Sequence, residues 1–142
     1  MREMKKYANF IASFKLAVKR EGKILILTES NTGFVDLPGG RVEEHEQGMP
    51  IKNLFEREIK EELGDNFRYK VLGPVFQYYR QDKLKNYVLY TVYEAEYVSG
   101  DITLSDEHKQ YEWVEPATFG FEVKIFNNKG EQSAFREYFK KL

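Results

Sequence analysis

The sequence predicts an α+β fold in which strands outnumber helices. Three observations carry this. Apolar, β-branched and aromatic runs bounded by turn signals recur at residues 10–18, 24–27, 75–80 and 87–97. Ile51, Leu54, Phe55, Ile59 and Leu63 recur instead at helical spacing. The length of 142 residues fits one domain with a single core, so we expect one domain over residues 1–142.

Taken in order, residues 10–18 are rich in apolar side chains, Arg20-Glu21-Gly22-Lys23 reads as a turn and residues 24–27 as a buried-type strand, together a hairpin. Residues 34–37 then lead into a glycine turn at Pro38-Gly39-Gly40. Pro50 can open a helix, because its fixed φ suits the first turn and its missing N–H is not needed there. The five apolar residues at helical spacing form the buried face of that helix, and Gly64 ends it. Strands over 75–80 and 87–97 flank a turn at Asp82-Lys83-Leu84-Lys85-Asn86, a short strand covers 111–114 and a final helix covers 133–142. Lys140 and Lys141 suit the negative end of that helix and read as a solvated terminus, not a binding patch. No internal repeat, low-complexity tract or linker is present.

Composition narrows the function classes. A net charge of −1 and a pI near 6.2 give no electrostatic reason to expect a nucleic-acid polymer as partner. With no cysteine there is no disulfide framework, zinc–thiolate site or thiol nucleophile. No apolar run approaches a membrane span and residues 1–6 lead into no signal-peptide core, so we expect no membrane partner and a cytoplasmic location. Ten Tyr, eleven Phe and one Trp exceed what a surface needs, so many must fill the core.

The chemistry is concentrated in Leu37-Pro38-Gly39-Gly40-Arg41-Val42-Glu43-Glu44-His45-Glu46 and, ten residues later, Arg57-Glu58-Ile59-Lys60-Glu61-Glu62-Leu63-Gly64. Residues three and four apart share one side of a helix, so Glu58, Glu61 and Glu62 point one way. They repel one another, and Glu61 and Glu62 also lie in the last turn, where the macrodipole disfavours anions. A hard cation relieves both penalties. Oxygen donors without thiolates suit Mg²⁺, Mn²⁺ or Ca²⁺ better than zinc or copper. The alternatives are a solvated acidic helix face for the carboxylates and an ordinary i,i+4 ion pair for Arg57 and Glu61.

This segment resembles the signature of the Nudix hydrolases, Gly-x5-Glu-x7-Arg-Glu-(apolar)-x-Glu-Glu-x-Gly-(apolar). Gly40, Glu46, Arg57, Glu58, Ile59, Glu61, Glu62 and Gly64 fill its fixed positions, and Leu37-Pro38 and Trp113-Val114 are also similar to family members. Two positions depart from it. Ten residues rather than seven separate Glu46 from Arg57, which leaves open whether Glu43, Glu44 or Glu46 is the early acid, and Asp65 replaces an apolar residue. The resemblance implies a Nudix α/β/α sandwich with a mixed central β-sheet. It implies hydrolysis, dependent on Mg²⁺ or Mn²⁺, of the phosphoanhydride in a nucleoside diphosphate linked to another moiety: a nucleotide sugar, ADP-ribose or a nucleoside triphosphate-like molecule. Glu61 and Glu62 then resemble the main metal ligands, Glu58 a ligand or the base that activates water, and the Gly39 carbonyl the backbone ligand. Arg57 would orient a carboxylate through a bidentate pair. The alternative function is a catalytically weak Nudix-like nucleotide-binding or sensor module. An isoprenoid diphosphate isomerase on the same fold is disfavoured because the cysteine it would require is missing.

Outside the motif, Glu107 in Ser105-Asp106-Glu107-His108 is the expected acid from a loop beyond the sheet, with Asp106 its rival. Phe34, Arg41, Tyr78 and Arg80 are the expected substrate contacts, by stacking on a base or holding phosphate, although strand aromatics such as Tyr78 commonly belong to the core. His45 and His108 read as solvated loop residues. The aromatic richness and the dimers common in the resembled family lead to a homodimer as the expected assembly, although a monomer of this size can bury those residues alone.

Overall fold

The structure is a computed structural model that describes residues 3–142. Its seven strands are β1 (Ile11–Arg20), β2 (Lys23–Glu29), β3 (Val35–Asp36), β4 (Gly39–Arg41), β5 (Arg68–Gln81), β6 (Tyr87–Ser99) and β7 (His108–Val114). Helix α1 (Ile51–Leu63) lies between β4 and β5, and α2 (Lys129–Lys140) follows β7. The strands form one sheet in the order β3-β2-β1-β6-β5, with β4 also paired to β1 and β7 to β2. The β1–β6 pair is parallel and the others are antiparallel, so the sheet is mixed.

The β1–β2 hairpin turns at Glu21 and Gly22, both at positive φ. Its two strands pair only beside that turn, at Lys19↔Ile24 and Arg20↔Lys23. Beyond it they part: Ser13 to Lys15 take β4 as partner, while β2 pairs with β7 from Ile24↔Val114 onward. The opening between them is where the polar groups described below meet.

Each face of the sheet carries a helix over its own apolar cluster. Phe55, Ile59 and Leu63 of α1 pack with Leu16, Val18, Leu25, Leu27 and Ala95. On the other face Phe135, Tyr138 and Phe139 of α2 pack with Ala17, Ile26, Tyr78, Tyr90 and Val92. Because β1 and β2 are covered on both faces, their sequences read as near-continuous apolar runs instead of alternating ones. The α/β/α layering agrees with the expectation. Among the described residues no helix is long and apolar enough to cross a membrane.

Three elements start well before the sequence reading places them. β5 begins at Arg68, not at residue 75, because register shifts around Pro74 let this edge strand pass a residue that cannot donate to the ladder. β7 begins at His108, within a polar stretch whose strand state comes from pairing with β2 rather than from composition. α2 begins at Lys129, four residues before the expected Ser133, because the Asn128 side chain caps it by accepting from the Glu131 N–H at 2.8 Å.

Phe135 is fully buried and touches the rings of Phe76, Tyr78, Phe126 and Phe139. Phe135→Ala should therefore cost about 3–5 kcal/mol of unfolding free energy in urea titration. A loss under about 1 kcal/mol would show that α2 is not packed on the sheet as described.

Candidate metal centre

Helix α1 presents two faces. Its apolar residues bury against the sheet, Glu58 and Glu62 meet the glycine turn, and Glu61, its side chain 61% exposed, accepts from Arg57 one turn away. Glu62 is 3% exposed, and its Oε2 accepts the Gly39 N–H at 2.8 Å. Gly39 has φ of +134°, and a Cβ there would lie 2.0 Å from the Phe14 carbonyl oxygen, so only glycine lets the turn lie against β1. A Cβ on Gly40 would sit 2.5 Å from the Glu58 carboxyl group, which places that carboxylate directly on the turn. Two glycines thus let the backbone lie against two helix carboxylates.

Arg57 ties the helix to the loop before it. Its Nε and one terminal nitrogen donate to the two oxygens of Glu46, each at 2.7 Å, in a bidentate pair. The same guanidinium donates to Glu58 at 2.7 Å and, more loosely, to Glu61 at 3.3 and 3.4 Å. Glu46 is buried and also accepts the Glu43 N–H at 3.0 Å, closing a capping box on a 3₁₀ turn over Glu44–Glu46. The bidentate partner of Arg57 is thus Glu46, not Glu61, while Glu43 and Glu44 are exposed. The longer loop changes nothing at this clasp, since the residues after Glu46 carry the extra length over an exposed bend at Gly48.

A second set of charges lies on the sheet side. The ammonium of Lys15, 6% exposed, meets Asp36 at 3.1 Å and donates to the Gly39 carbonyl at 3.2 Å. The Asp36 carboxylate also meets His108 Nε2 at 2.8 Å and accepts the Leu37 N–H. Burial alone would raise the Asp36 pKa, but Lys15 and His108 hold it well below the usual carboxylate range. Burial pushes Glu62 up to about 7, against the opposing pull of Lys15 and the Gly39 N–H. Burial likewise raises Glu58, with Arg57 opposing it. These two carboxyls are short of positive charge.

Glu107, just before β7, reaches the same place, and ligand atoms of Glu62, Glu107 and His108 all lie within 4.8 Å of one another. His108 is 5% exposed and stands in β7, which corrects the reading of it as a solvated loop residue; His45 is exposed as expected. The donor set fits a hard divalent cation: carboxylates from α1, a carboxylate beyond the sheet and the carbonyl of a turn that cannot carry a Cβ, with no sulfur.

The expected substrate contacts divide. Phe34, half-buried between β2 and β3, and Arg41, whose exposed guanidinium meets Asp82 at 3.4 Å, are accessible at the surface. Tyr78 is not: it is 4% exposed and stacks on Tyr90 at 4.9 Å within the α2-side core, so it does not stack on a base. Arg80 is also corrected. Its guanidinium donates to Glu131 at 2.7 and 3.1 Å, to Glu29 at 2.8 Å and to the Val35 carbonyl, and is spent on holding α2 to the sheet. The sequence reading passed over Lys15, Asp36 and Glu131. The available signals were a lysine inside an apolar strand, an aspartate one residue before Leu37-Pro38, and a glutamate at the third position after an Asn cap.

Arg80→Met should leave buried Glu131 without its partner and cost about 3–5 kcal/mol of stability. Urea denaturation checks this. An unchanged midpoint with a raised KM would return Arg80 to the substrate side.

Comparison with known proteins agrees with the geometry. The family model described as the NUDIX domain matches residues 12–137. A nucleoside triphosphatase NudI of Salmonella arizonae is 31% identical over 93 residues, which cover 58% of this chain and 62% of that protein. The chain therefore spans less than two thirds of that relative's length. The MutT protein from Methanosarcina mazei Go1 is 26% identical, superposes with a TM-score of 0.67 and is covered over 95% of its length by 96% of this chain. An ADP-ribose pyrophosphatase from Streptococcus suis shares the fold at 23% identity, with a TM-score of 0.62 and 90% of each chain covered. With the family model running through nearly all of the sheet and both helices, the chain belongs to the Nudix hydrolase family.

Proposed function

We propose that this protein is a pyrophosphohydrolase that uses Mg²⁺ or Mn²⁺ to cleave the phosphoanhydride of a nucleoside diphosphate linked to another moiety. The observation that carries this reading is that Glu62 joins the Gly39 N–H to a cluster with Glu107 and His108, while Glu58 lies against Gly40 beside the Arg57–Glu46 clasp. Glu58, Glu61, Glu62 and the Gly39 carbonyl would hold the cation. When bound, it supplies neutralisation of phosphate charge and activation of water.

The chain's own groups do the rest. Glu58 takes the proton of the attacking water, and Arg57 keeps the Glu58 carboxylate turned toward the site by its 2.7 Å bond while anchoring itself on Glu46. Glu107 orients that water from the side that α1 does not reach. Arg41 meets a phosphate oxygen by leaving its 3.4 Å contact with Asp82, and Phe34 stacks on the base. The names of the relatives differ in substrate, from nucleoside triphosphates to ADP-ribose, which supports the shared diphosphate as the recognised element. A screen of ADP-ribose, sugar nucleotides, oxidised nucleoside triphosphates and dinucleoside polyphosphates, with each metal, tests the reading. No product from any class would leave the binding or sensor module in its place.

Hydrolysis should require added Mg²⁺ or Mn²⁺ and disappear in excess chelator, because clustered carboxylates repel an anionic diphosphate. Glu62→Gln should remove most turnover while leaving the circular dichroism spectrum and melting profile intact, since the amide oxygen still accepts the Gly39 N–H. Activity in chelator would contradict the metal requirement, and an unfolded variant would make Glu62 structural.

Glu107→Gln should lower turnover at least about tenfold, roughly 1.4 kcal/mol of barrier, and by more than Glu43→Gln or Glu44→Gln. Full turnover in Glu107→Gln, with an essential Glu43 or Glu44, would move that role to the loop.

A further inference from the structure

Lys15 is a charged side chain in the middle of an apolar strand, 6% exposed, with Leu16, Ala17 and Val18 fully or almost fully buried beside it. An ammonium in such a place needs a function or a fully paired surround. Its surround consists of Asp36 at 3.1 Å and the Gly39 carbonyl at 3.2 Å, and Tyr90 presents its ring at 5.8 Å. The arrangement at Gly39 is two-sided. The N–H of that residue is held by Glu62 from α1, and its carbonyl by Lys15 from β1, so side chains from two layers grip one residue through the peptide groups on either side of its Cα. Asp36 in turn is fixed by His108 and the Leu37 N–H, which keeps the ammonium from following an alternative partner.

We propose that Lys15 is a positioning residue for the cation site: its ammonium, braced by Asp36, holds the Gly39 carbonyl, and through the N–H of the same residue the Glu62 carboxylate, in the arrangement that receives the metal. This rests on the reading of Gly39 and Glu62 as ligands. A carbonyl oxygen has two lone pairs, so the Lys15 bond leaves one for a cation. The lysine also supplies one fixed positive charge that cannot leave with the metal, which keeps the glycine turn shaped between turnovers.

The charge effect and the positioning effect can be separated. Lys15→Met alone removes a positive charge, which would by itself favour a cation and would leave Asp36 unbalanced. The pair Lys15→Met with Asp36→Asn removes one charge of each sign, so the net charge is unchanged. The asparagine keeps an oxygen for the Leu37 N–H. Buried ion pairs replaced by neutral groups on both sides are often neutral for stability. The probe is Mn²⁺ alone, titrated into nucleotide-free protein and read by the electron paramagnetic resonance signal of the free ion. The expected result is a urea midpoint near that of the unchanged chain with Mn²⁺ affinity lowered at least about fivefold. Unchanged Mn²⁺ affinity in the folded double variant would overturn the proposal and leave Lys15 with packing alone.

If the double variant does not fold, the unchanged chain still decides the matter. Its Lys15 ammonium should give a protected ¹H–¹⁵N signal that shifts on adding Mg²⁺, and a signal that does not respond would overturn the proposal equally. Failure of the functional reading is a different result: an unchanged chain that binds Mn²⁺ and responds at Lys15 but cleaves no nucleotide would refute the proposed hydrolysis and leave the role of Lys15 standing.

Discussion

Like charges forced onto one helix face are the constraint around which this structure is arranged. Two carboxylates about 5 to 6 Å apart repel by roughly 3 kcal/mol at an effective dielectric near 20. A charge-assisted hydrogen bond returns about 1.5 to 3 kcal/mol. The Arg57 guanidinium, already shared with Glu46, therefore offsets part of the repulsion among Glu58, Glu61 and Glu62 and leaves the remainder. Burial pulls Glu62 and Glu58 upward as well, so desolvation adds to the demand for positive charge. A divalent cation held between them would relieve it.

The sheet is built to serve that face. β1 and β2 part after two residue pairs, β4 fills the gap along β1, and the glycine turn is carried in beneath α1. Because Gly39 carries no side chain to collide with the Phe14 carbonyl, the turn sits close enough for Lys15 and Glu62 to take the carbonyl and the N–H of one residue. On the far side of the sheet a similar solution holds α2, where Arg80 satisfies Glu131 and Glu29 beside the buried ring of Tyr90. The arginine of α2's face thus joins helix to sheet, whereas on the other face Arg57 ties α1 to the loop before it and Glu62 makes the link to β4.

Legibility in the sequence followed the range of the interactions. The α1 pattern and its Gly64 stop depend on neighbours three and four residues away, and these were readable directly, whereas Glu61, expected on one face with Glu58 and Glu62, is exposed beside buried Glu62. The start of α2 depended on one cap, Asn128, which the apolar pattern alone does not reveal. Tyr78 and Arg80 could not be placed because alternation along a strand says which residues share a face, not which face carries a second helix. Lys15, Asp36 and His108 come from positions 15, 36 and 108 and meet only through tertiary pairing, so no local spacing announces them. The choice of Glu46 among the three loop acids is of the same kind: the clasp on Arg57 depends on how the 3₁₀ turn folds the loop back.

The central claim is that a divalent cation enters between the carboxylate face of α1 and the Gly39 turn. Paramagnetic broadening of backbone amide signals by substoichiometric Mn²⁺ in ¹⁵N-labelled protein tests it most directly. Amides of Gly39, Gly40, Glu58, Glu62 and Glu107 should broaden first, with those of α2 unaffected. Broadening centred instead on the loop cluster of Glu43, His45 and Glu46, which also gathers ligand atoms within 4.8 Å of one another, would contradict it.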